Sequence, residues 1–243
     1  MIDGTNFFLG APIEFQKVCL VYPPKVKDVT SNQGFELYRK ILTLSQEEIE
    51  DEYVKAELDV ANMLTPLEYL LNKAYNDKQF APLAREAFSF FIREPVNFLF
   101  EQKKILIGDV KEMSIDSLRF IDENNFFNFQ NLVRLSVGAK EIEPPNPNED
   151  PRVKRIKAKA RYRDKIKAKK GKGLRLNVVL ASICFMGIGI NPLNIGELSY
   201  AAIPILTDMY QDKEKYELDI KSLLAGADSK KVKPKYWIKN PED

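Results

Sequence analysis

The chain has 243 residues, of which 44% are hydrophobic and 30% are charged, with a formal net charge of +2. This length is enough for one large domain or two modest ones with an apolar core. Histidine is missing and cysteine occurs only twice. This composition excludes the commonest general base, the Ser-His and Cys-His nucleophile pairs, and the usual ligand set of a structural zinc site.

The glycine patterns of nucleotide-binding proteins are also missing. Neither G-x-x-x-x-G-K-[ST] nor G-x-G-x-x-G occurs, and the nearest pattern, Gly187-Ile188-Gly189, lacks a third glycine. Carboxylate-only catalysis stays formally open, but carboxylates are too common in this chain to indicate it. We therefore expect a protein that is not an enzyme and that uses neither a cofactor nor a metal.

Residues 1–10 lack the basic start and the long apolar stretch of a signal peptide. The longest apolar run, residues 178–190, is shorter than the roughly 20 residues of a membrane span, so it predicts a buried helix. Cys19 and Cys184 both have apolar neighbours in the sequence. They are expected to be buried free thiols in a reducing compartment, with a disulfide between them left open. These features predict a soluble intracellular protein with no membrane contact.

Taken in chain order, residues 13–22 predict a strand that ends at Pro23-Pro24. Two capping boxes follow, Ser45 with Glu48 and Thr65 with Glu68, and Pro66 strengthens the second because proline is well tolerated at the first helical position. The predicted helices of this part of the chain are 46–60, 66–76 and 81–93.

Residues 96–100 and 105–107 predict two strands joined by the polar turn 101–104. Asp122 is expected to cap a helix that runs through Val137 and ends at Gly138. The N-terminal module, residues 1–140, is therefore predicted to be α+β, with a small antiparallel sheet against helices.

Nine of the fifteen phenylalanines fall between Phe88 and Phe129. One interpretation is that they form the core where the sheet meets the helices. The other is that some of them line a groove for an apolar segment of a partner. The sequence leaves both interpretations open.

Four prolines within residues 144–151 predict a linker at 141–151, because proline interrupts both helices and strands. A helix capped by Asp150 is expected to follow. Residues 152–175, here called the basic arm, hold thirteen lysines or arginines and one acid, whereas the rest of the chain has 24 basic and 34 acidic residues, a net charge of −10. Val153, Ile156 and Ala160 share one side of this helix. So thin a stripe predicts an arm that is exposed or bound to a partner.

The basic arm is expected to open a C-terminal helical module that comprises residues 152–227. Asn191-Pro192 breaks the apolar run, and Asn194 with Glu197 is expected to cap a helix that Pro204 kinks. A last helix is expected to end at Gly226. The polar tail 228–243 is predicted to be flexible or to dock onto a partner. The fold class predicted for the whole chain is mainly α (α+β).

Three stretches resemble a known group of proteins. They are residues 19–28 (CLVYPPKVKD), 42–47 (LTLSQE) and 222–233 (SLLAGADSKKVK). The chain is similar over most of its length, with loosely matched intervening segments, to proteins of tailed bacteriophages and prophages of Gram-positive hosts. These are typically encoded between the tail-tube and tape-measure proteins. The resemblance implies a tail assembly chaperone.

That resemblance implies a non-enzymatic protein of the host cytoplasm with two partners, the tape-measure protein and the tail-tube protein. One module would cover the long, partly apolar tape-measure chain, and the other would recruit tube subunits. Self-association is a further expectation. The candidate partner-binding residues are six cations of the basic arm and the one tryptophan of the tail: Lys154, Arg155, Lys157, Lys159, Arg161, Arg163 and Trp237.

Other classes of function stay open. A nucleic-acid-binding protein would use the basic arm to neutralise phosphates, without reading bases. A structural tail component or a host-directed effector is a further alternative. Blocks of like charge are also often solvated segments with no specific ligand.

Overall fold

A computed structural model describes residues 5–56, 63–109, 118–144, 175–228 and 231–237, together with the single positions 152, 153, 156, 160 and 163. These residues form a mainly helical α+β fold with a two-stranded and a three-stranded antiparallel sheet. The predicted fold class is thereby confirmed. Residues 145–151 of the predicted linker, including Asp150, lie outside the described residues. The division into two modules therefore stays a prediction.

The secondary structure elements are numbered in chain order. Up to residue 99 they are α1 (Thr5–Phe8), β1 (Ile13–Phe15), β2 (Cys19–Val21), α2 (Val26–Ser31), α3 (Phe35–Leu42), α4 (Gln46–Lys55), α5 (Pro66–Asn76), α6 (Phe80–Ile92) and β3 (Val96–Leu99). Beyond that they are β4 (Lys104–Ile107), β5 (Arg119–Ile121), α7 (Phe126–Ser136), α8 (Leu176–Phe185), a 3₁₀ turn (Ile195–Glu197) and α9 (Ala202–Leu224).

The prediction of a single strand over residues 13–22 is wrong. Strands β1 and β2 form an antiparallel hairpin in which Phe15 pairs with Cys19. Gln16 and Lys17 turn the chain with φ angles of 48° and 59°. Neither residue is one of the types that usually adopt this left-handed conformation, so no local signal predicts the turn.

Both predicted capping boxes are confirmed. The Ser45 hydroxyl accepts a hydrogen bond from Glu48 N at 3.3 Å, and Glu48 Oε2 accepts one from Ser45 N at 3.1 Å. Thr65 and Glu68 make the same reciprocal pair. The boxes start α4 and α5 at the predicted positions. Helix α4 ends at Lys55, and the predicted extension to residue 60 falls mostly outside the described residues.

The predicted strand pair β3–β4 is confirmed, and β5 adds an unpredicted third strand at the free edge of β4. The prediction that Asp122 caps the next helix is wrong. Helix α7 begins after Asn125. Asp122 instead forms the preceding turn, where its carboxylate accepts a hydrogen bond from Asn124 N at 3.0 Å. The predicted end of this helix is confirmed, because Gly138 follows it with a φ of +72°.

The phenylalanine-rich region forms the main core. Phe88, Phe91 and Phe129 are fully buried, and the rings of Phe88 and Phe129 stack with centroids 5.4 Å apart. Phe126 also belongs to this core, whereas Phe127, beside it on α7, is only half-buried. The core interpretation is confirmed for most of the cluster, and Phe127 is left to line a groove.

The C-terminal elements differ from the predicted ones. Asn194 and Glu197 bound only a short 3₁₀ turn, and α9 is one helix of 23 residues that begins at Ala202. Pro204 is the third residue of α9, so it lies in the first turn and gives no reason for the predicted kink. The first four N–H groups of a helix have no partner within the helix, so a proline there costs no hydrogen bond.

The segment that precedes α9 packs directly on the N-terminal elements. Tyr200 N donates to the Pro24 carbonyl at 2.8 Å, and Ser199 Oγ donates to the Phe7 carbonyl at 2.5 Å. The Tyr200 ring also meets the Phe35 ring edge-on, with centroids 5.3 Å apart. This segment therefore completes the core that residues 5–137 begin.

Candidate docking surface

Most of the predicted partner-binding cations lie outside the described residues. These are Lys154, Arg155, Lys157, Lys159 and Arg161. Arg163 is helical and exposed, as are Val153 and Ile156, which are 41% and 67% exposed. Val153, Ile156 and Arg163 of the basic arm are therefore exposed, in agreement with the expectation from its thin apolar stripe.

Trp237, the other predicted partner-binding residue, lies in the tail. Its ring centroid is 6.2 Å from that of Tyr236, and the Tyr236 ring packs edge-on against Tyr216 of α9 at 5.7 Å. The tail therefore contacts a helix of its own chain. Among the described residues, no hydrogen bond, ion pair or ring contact joins Trp237 to Arg163, so the structure does not bring the two predicted features together.

Helix α8 holds the start of the long apolar run, and only one of its faces is covered. Ile183 is fully buried and forms a small second core with Val26 of α2 and Ile203 of α9. Leu176, Val179 and Leu180 pack against this core from the same face of α8, at helical spacing. This inner face attaches α8 to the protein.

The outer face of α8 and the loop after it are apolar and exposed, so the prediction that residues 178–190 form a buried helix is wrong. Phe185 is 88% exposed and Leu193 is 96% exposed, and Val178 and Ile188 are also exposed. The physical reason is that α2 and α9 cover α8 from one side only. We call Val178, Phe185, Ile188 and Leu193 the C-terminal apolar surface.

The loop that carries this surface is held by asparagine side chains. Asn194 Oδ1 accepts a hydrogen bond from Asn191 N at 2.8 Å, and Asn194 Nδ2 donates to the Gly189 carbonyl at 3.0 Å. Asn191 Oδ1 accepts from Leu193 N at 2.9 Å. Leu193 therefore points away from the body while its backbone is fixed, an arrangement suited to a preformed contact.

The composition of this region is also unusual. No charged residue occurs in residues 176–196, although 30% of the whole chain is charged. The first charge, Glu197, pairs with Lys25 at 2.7 Å and Lys27 at 2.5 Å. The hydrogen bond from Lys25, followed in size by the one from Lys27, lowers the pKa of Glu197 to about 2. These ion pairs attach the end of the uncharged segment to α2.

A second concave feature lies between the first turns of α4 and α5, helix α7 and the segment after α7. It is a groove of about 390 Å³. Its apolar lining includes Pro66, Leu67, Phe126, Phe127 and Ile142. Its acidic lining consists of Glu47, Glu123 and Glu143, and we call it the acidic groove.

One wall of the acidic groove is fixed by a buried amide. Asn131 Nδ2 donates to the Ile142 carbonyl at 3.1 Å, and Asn131 Oδ1 accepts from Ile142 N at 2.8 Å. Gln130 Nε2 donates to the Leu44 carbonyl at 2.8 Å and holds the opposite wall. The sequence could not have indicated this groove, because its walls are up to about 100 residues apart along the chain and no motif links them.

The described residues include no group of three or more potential metal ligands and no helix that is long and apolar enough to cross a membrane. Cys19 is buried and Cys184 is half-buried, and neither forms a disulfide. Burial, with a smaller contribution from Glu94, raises the pKa of Cys19 to about 12, so this thiol stays protonated.

No family model, curated protein or solved structure matches this chain. The resemblance to tail assembly chaperones therefore depends on the three stretches named above. The first of these stretches forms β2 and the start of α2. The second joins α3 to α4, and the third contains the end of α9.

Proposed function

We propose that this protein is a non-enzymatic chaperone of phage tail assembly. It covers an apolar helical segment of the tape-measure protein and helps to recruit tail-tube subunits. The observation that carries the proposal is the exposure of the C-terminal apolar surface, above all of Phe185 and Leu193. The resemblance of the three sequence stretches supplies the identity of the partners.

An exposed apolar surface next to a well-packed core favours a binding role. Covering a side chain such as Phe185 or Leu193 stabilises a complex by about 1.5–3 kcal/mol. Large exposed apolar residues that occur together are typical of interaction sites, whereas single ones are ordinary. An amphipathic helix of a partner fits a surface of this kind through its apolar face.

The basic arm adds a charge contribution to the same role. Thirteen cations at 152–175 attract an acidic partner and accelerate its encounter, although each exposed ion pair adds little affinity. Apolar contact therefore supplies most of the binding energy in this proposal, and the arm supplies orientation and speed.

Co-expression with the tape-measure protein tests the proposal. The double variant Phe185→Ser with Leu193→Ser is expected to lose co-purification and to leave the tape-measure protein insoluble. Its own unfolding midpoint should be nearly unchanged, because both side chains are exposed. The matched control is Leu9→Ser with Leu37→Ser, which removes two exposed apolar side chains from the N-terminal elements. Undiminished capture by the Phe185 and Leu193 variant would contradict the proposal.

A nucleic-acid-binding function is the second candidate, and the exposure of the described arm positions favours it. The nucleic-acid and chaperone proposals are distinguished by titrating the wild type with duplex DNA, structured RNA and tape-measure fragments at physiological ionic strength. Salt dependence alone does not discriminate, because both kinds of complex weaken with salt. Sub-micromolar binding to nucleic acid, with no capture of tape-measure fragments, would replace the chaperone proposal.

A further inference from the structure

We propose that the acidic groove is a self-association site that accepts the basic arm of a second copy of this chain. The proposal does not rest on the chaperone function, although both draw on the charge of the basic arm. The chaperone proposal is carried by Phe185 and Leu193, which belong to neither the groove nor the arm. It rests on the apolar lining of the groove, on the complementary charges of groove and arm, and on the exposed apolar stripe of the arm.

The acidic groove has the features of a site for an apolar side chain with cationic neighbours. Phe127 and Ile142 are half-buried on its walls, above the buried Leu67 and Phe126. Glu123 and Glu143 are exposed beside this apolar lining. Glu123 also accepts a hydrogen bond from Thr65 Oγ1 at 3.0 Å and lies within electrostatic range of Lys103. A ligand with both apolar and cationic groups would cover the apolar lining and add positive charge beside Glu123 and Glu143.

The basic arm presents this combination of groups. Val153 and Ile156 are three residues apart, so they lie on the same side of a helix, and both are exposed. Arg163 follows them, and residues 152–175 hold thirteen cations in all. The apolar pair can enter the groove while the flanking cations meet Glu123 and Glu143.

The occupant is assigned to a second copy for two reasons. First, Val153 and Ile156 are exposed in their own chain, so the arm does not fill its own groove. Second, the chain without the arm carries a net charge of −10 and the arm carries +12, so each copy attracts the arm of another. The hydrogen bonds between Asn131 and Ile142 keep the groove formed whether or not an arm occupies it.

The contact joins two different surfaces, the arm of one copy and the groove of another. A linear oligomer would therefore keep one unoccupied groove and one unbound arm at its ends. Reciprocal exchange of arms between two copies fills both grooves and closes the assembly as a dimer. We expect this dimer to be the smallest stable species.

Sedimentation velocity over a concentration series tests the proposal on the full-length protein after nuclease treatment. The wild type is expected to self-associate. The variant Glu123→Lys with Glu143→Lys should raise the dissociation constant by about tenfold or more, because two attractive pairs become repulsive. The matched control, Glu14→Lys with Glu101→Lys, makes the same charge change at two exposed acids outside the groove and should leave association unchanged.

A charge exchange identifies the two surfaces as partners. An arm variant with Arg152→Glu, Lys154→Glu, Arg155→Glu and Lys157→Glu should likewise self-associate about tenfold more weakly or worse. Mixed with the groove variant, it should form a heterodimer, because an acidic arm then meets a basic groove. Circular dichroism and the unfolding midpoint verify that each variant is folded.

Three results would overturn the proposal. The first is a wild type that stays monomeric at concentrations of about 100 μM, in the range of weak complexes. The second is association that the groove variant retains at full strength, which would place the contact elsewhere. The third is a mixture of the arm and groove variants that remains monomeric, which would mean that the arm and the groove are not each other's partners.

Discussion

Gly138 at the end of α7 lies against Pro204 in the first turn of α9. A β-carbon at Gly138 would come within 2.5 Å of Pro204 Cγ and 3.0 Å of the Ala201 carbonyl oxygen. Gly138 also has a φ of +72°, which L side chains rarely adopt. The same glycine therefore ends α7 and allows the C-terminal helix to approach it.

Replacement of Gly138 by alanine is expected to lower the free energy of unfolding by about 2–5 kcal/mol, from backbone strain and steric overlap together. Gly187→Ala is the matched control. Gly187 has nearly the same φ, +71°, but no atom within 4 Å of an added β-carbon. Its loss should be only about 1–2 kcal/mol, the strain alone. Urea unfolding of both variants measures the difference, and equal losses would show that the contact with Pro204 is not tight.

The ion pairs of Glu197 predict a dependence of stability on acid. Because the pKa of Glu197 is lowered from 4.5 to about 2 by Lys25 and Lys27, folding is favoured when this carboxylate is ionised. The contribution is complete above pH 4.5 and is lost as the pH falls towards 2. Thermal unfolding midpoints of wild type and Glu197→Gln should therefore converge over this interval. The difference above pH 4.5 should be small, since all three side chains are exposed.

The two cysteines should react with thiol reagents very differently. Cys19 is buried with a pKa of about 12, whereas Cys184 is half-buried on α8. A maleimide or disulfide reagent is expected to modify one thiol of the native protein quickly and the second only after denaturation. Peptide mapping assigns the fast site, which should disappear in Cys184→Ala. Fast modification of Cys19 would contradict the burial of β2.

Cleavage between the predicted modules should not separate them. With a protease site inserted between Pro145 and Pro151, the two fragments of the cut protein are expected to elute together in native size-exclusion chromatography. The reason is that Ser199 and Tyr200 bond to Phe7 and Pro24 across the cut.

Ser199→Ala combined with Tyr200→Ala removes one of these hydrogen bonds and the ring contact with Phe35. The cut form of this variant should dissociate more readily than the cut wild type. Fragments that separate without denaturant in the wild type would show that the C-terminal elements are held only through the linker.

Local signals in the sequence were sufficient for several elements. The capping boxes at Ser45 and Thr65 define helix starts because serine or threonine and glutamate three residues later satisfy each other's backbone groups. Gly138 marks the end of α7 for a similarly local reason. The pair β3–β4 was predictable because its two strands are adjacent in the chain and a short polar turn joins them.

Other features depended on contacts that no short window contains. The turn at Gln16 and Lys17 takes a conformation that these residue types disfavour, and the long-range pairing of β5 with β4 has no local signal. Helix α9 continues through Pro204 because it begins only two residues earlier, at Ala202. That starting point is set by packing, since Ala201, which precedes the helix, belongs to the main core.

The sequence by itself determined that the chain is mainly α with a small sheet, that it lacks histidine and nucleotide-binding glycine patterns, and that a strongly basic segment is attached to an acidic body. Tertiary structure alone decided which apolar residues are covered. Hydrophobicity made residues 178–190 look buried, yet α2 and α9 reach only one face of α8, so Phe185 and Leu193 stay in solvent. Burial depends on which elements meet in space, and an apolar side chain is equally apolar whether or not a neighbour covers it.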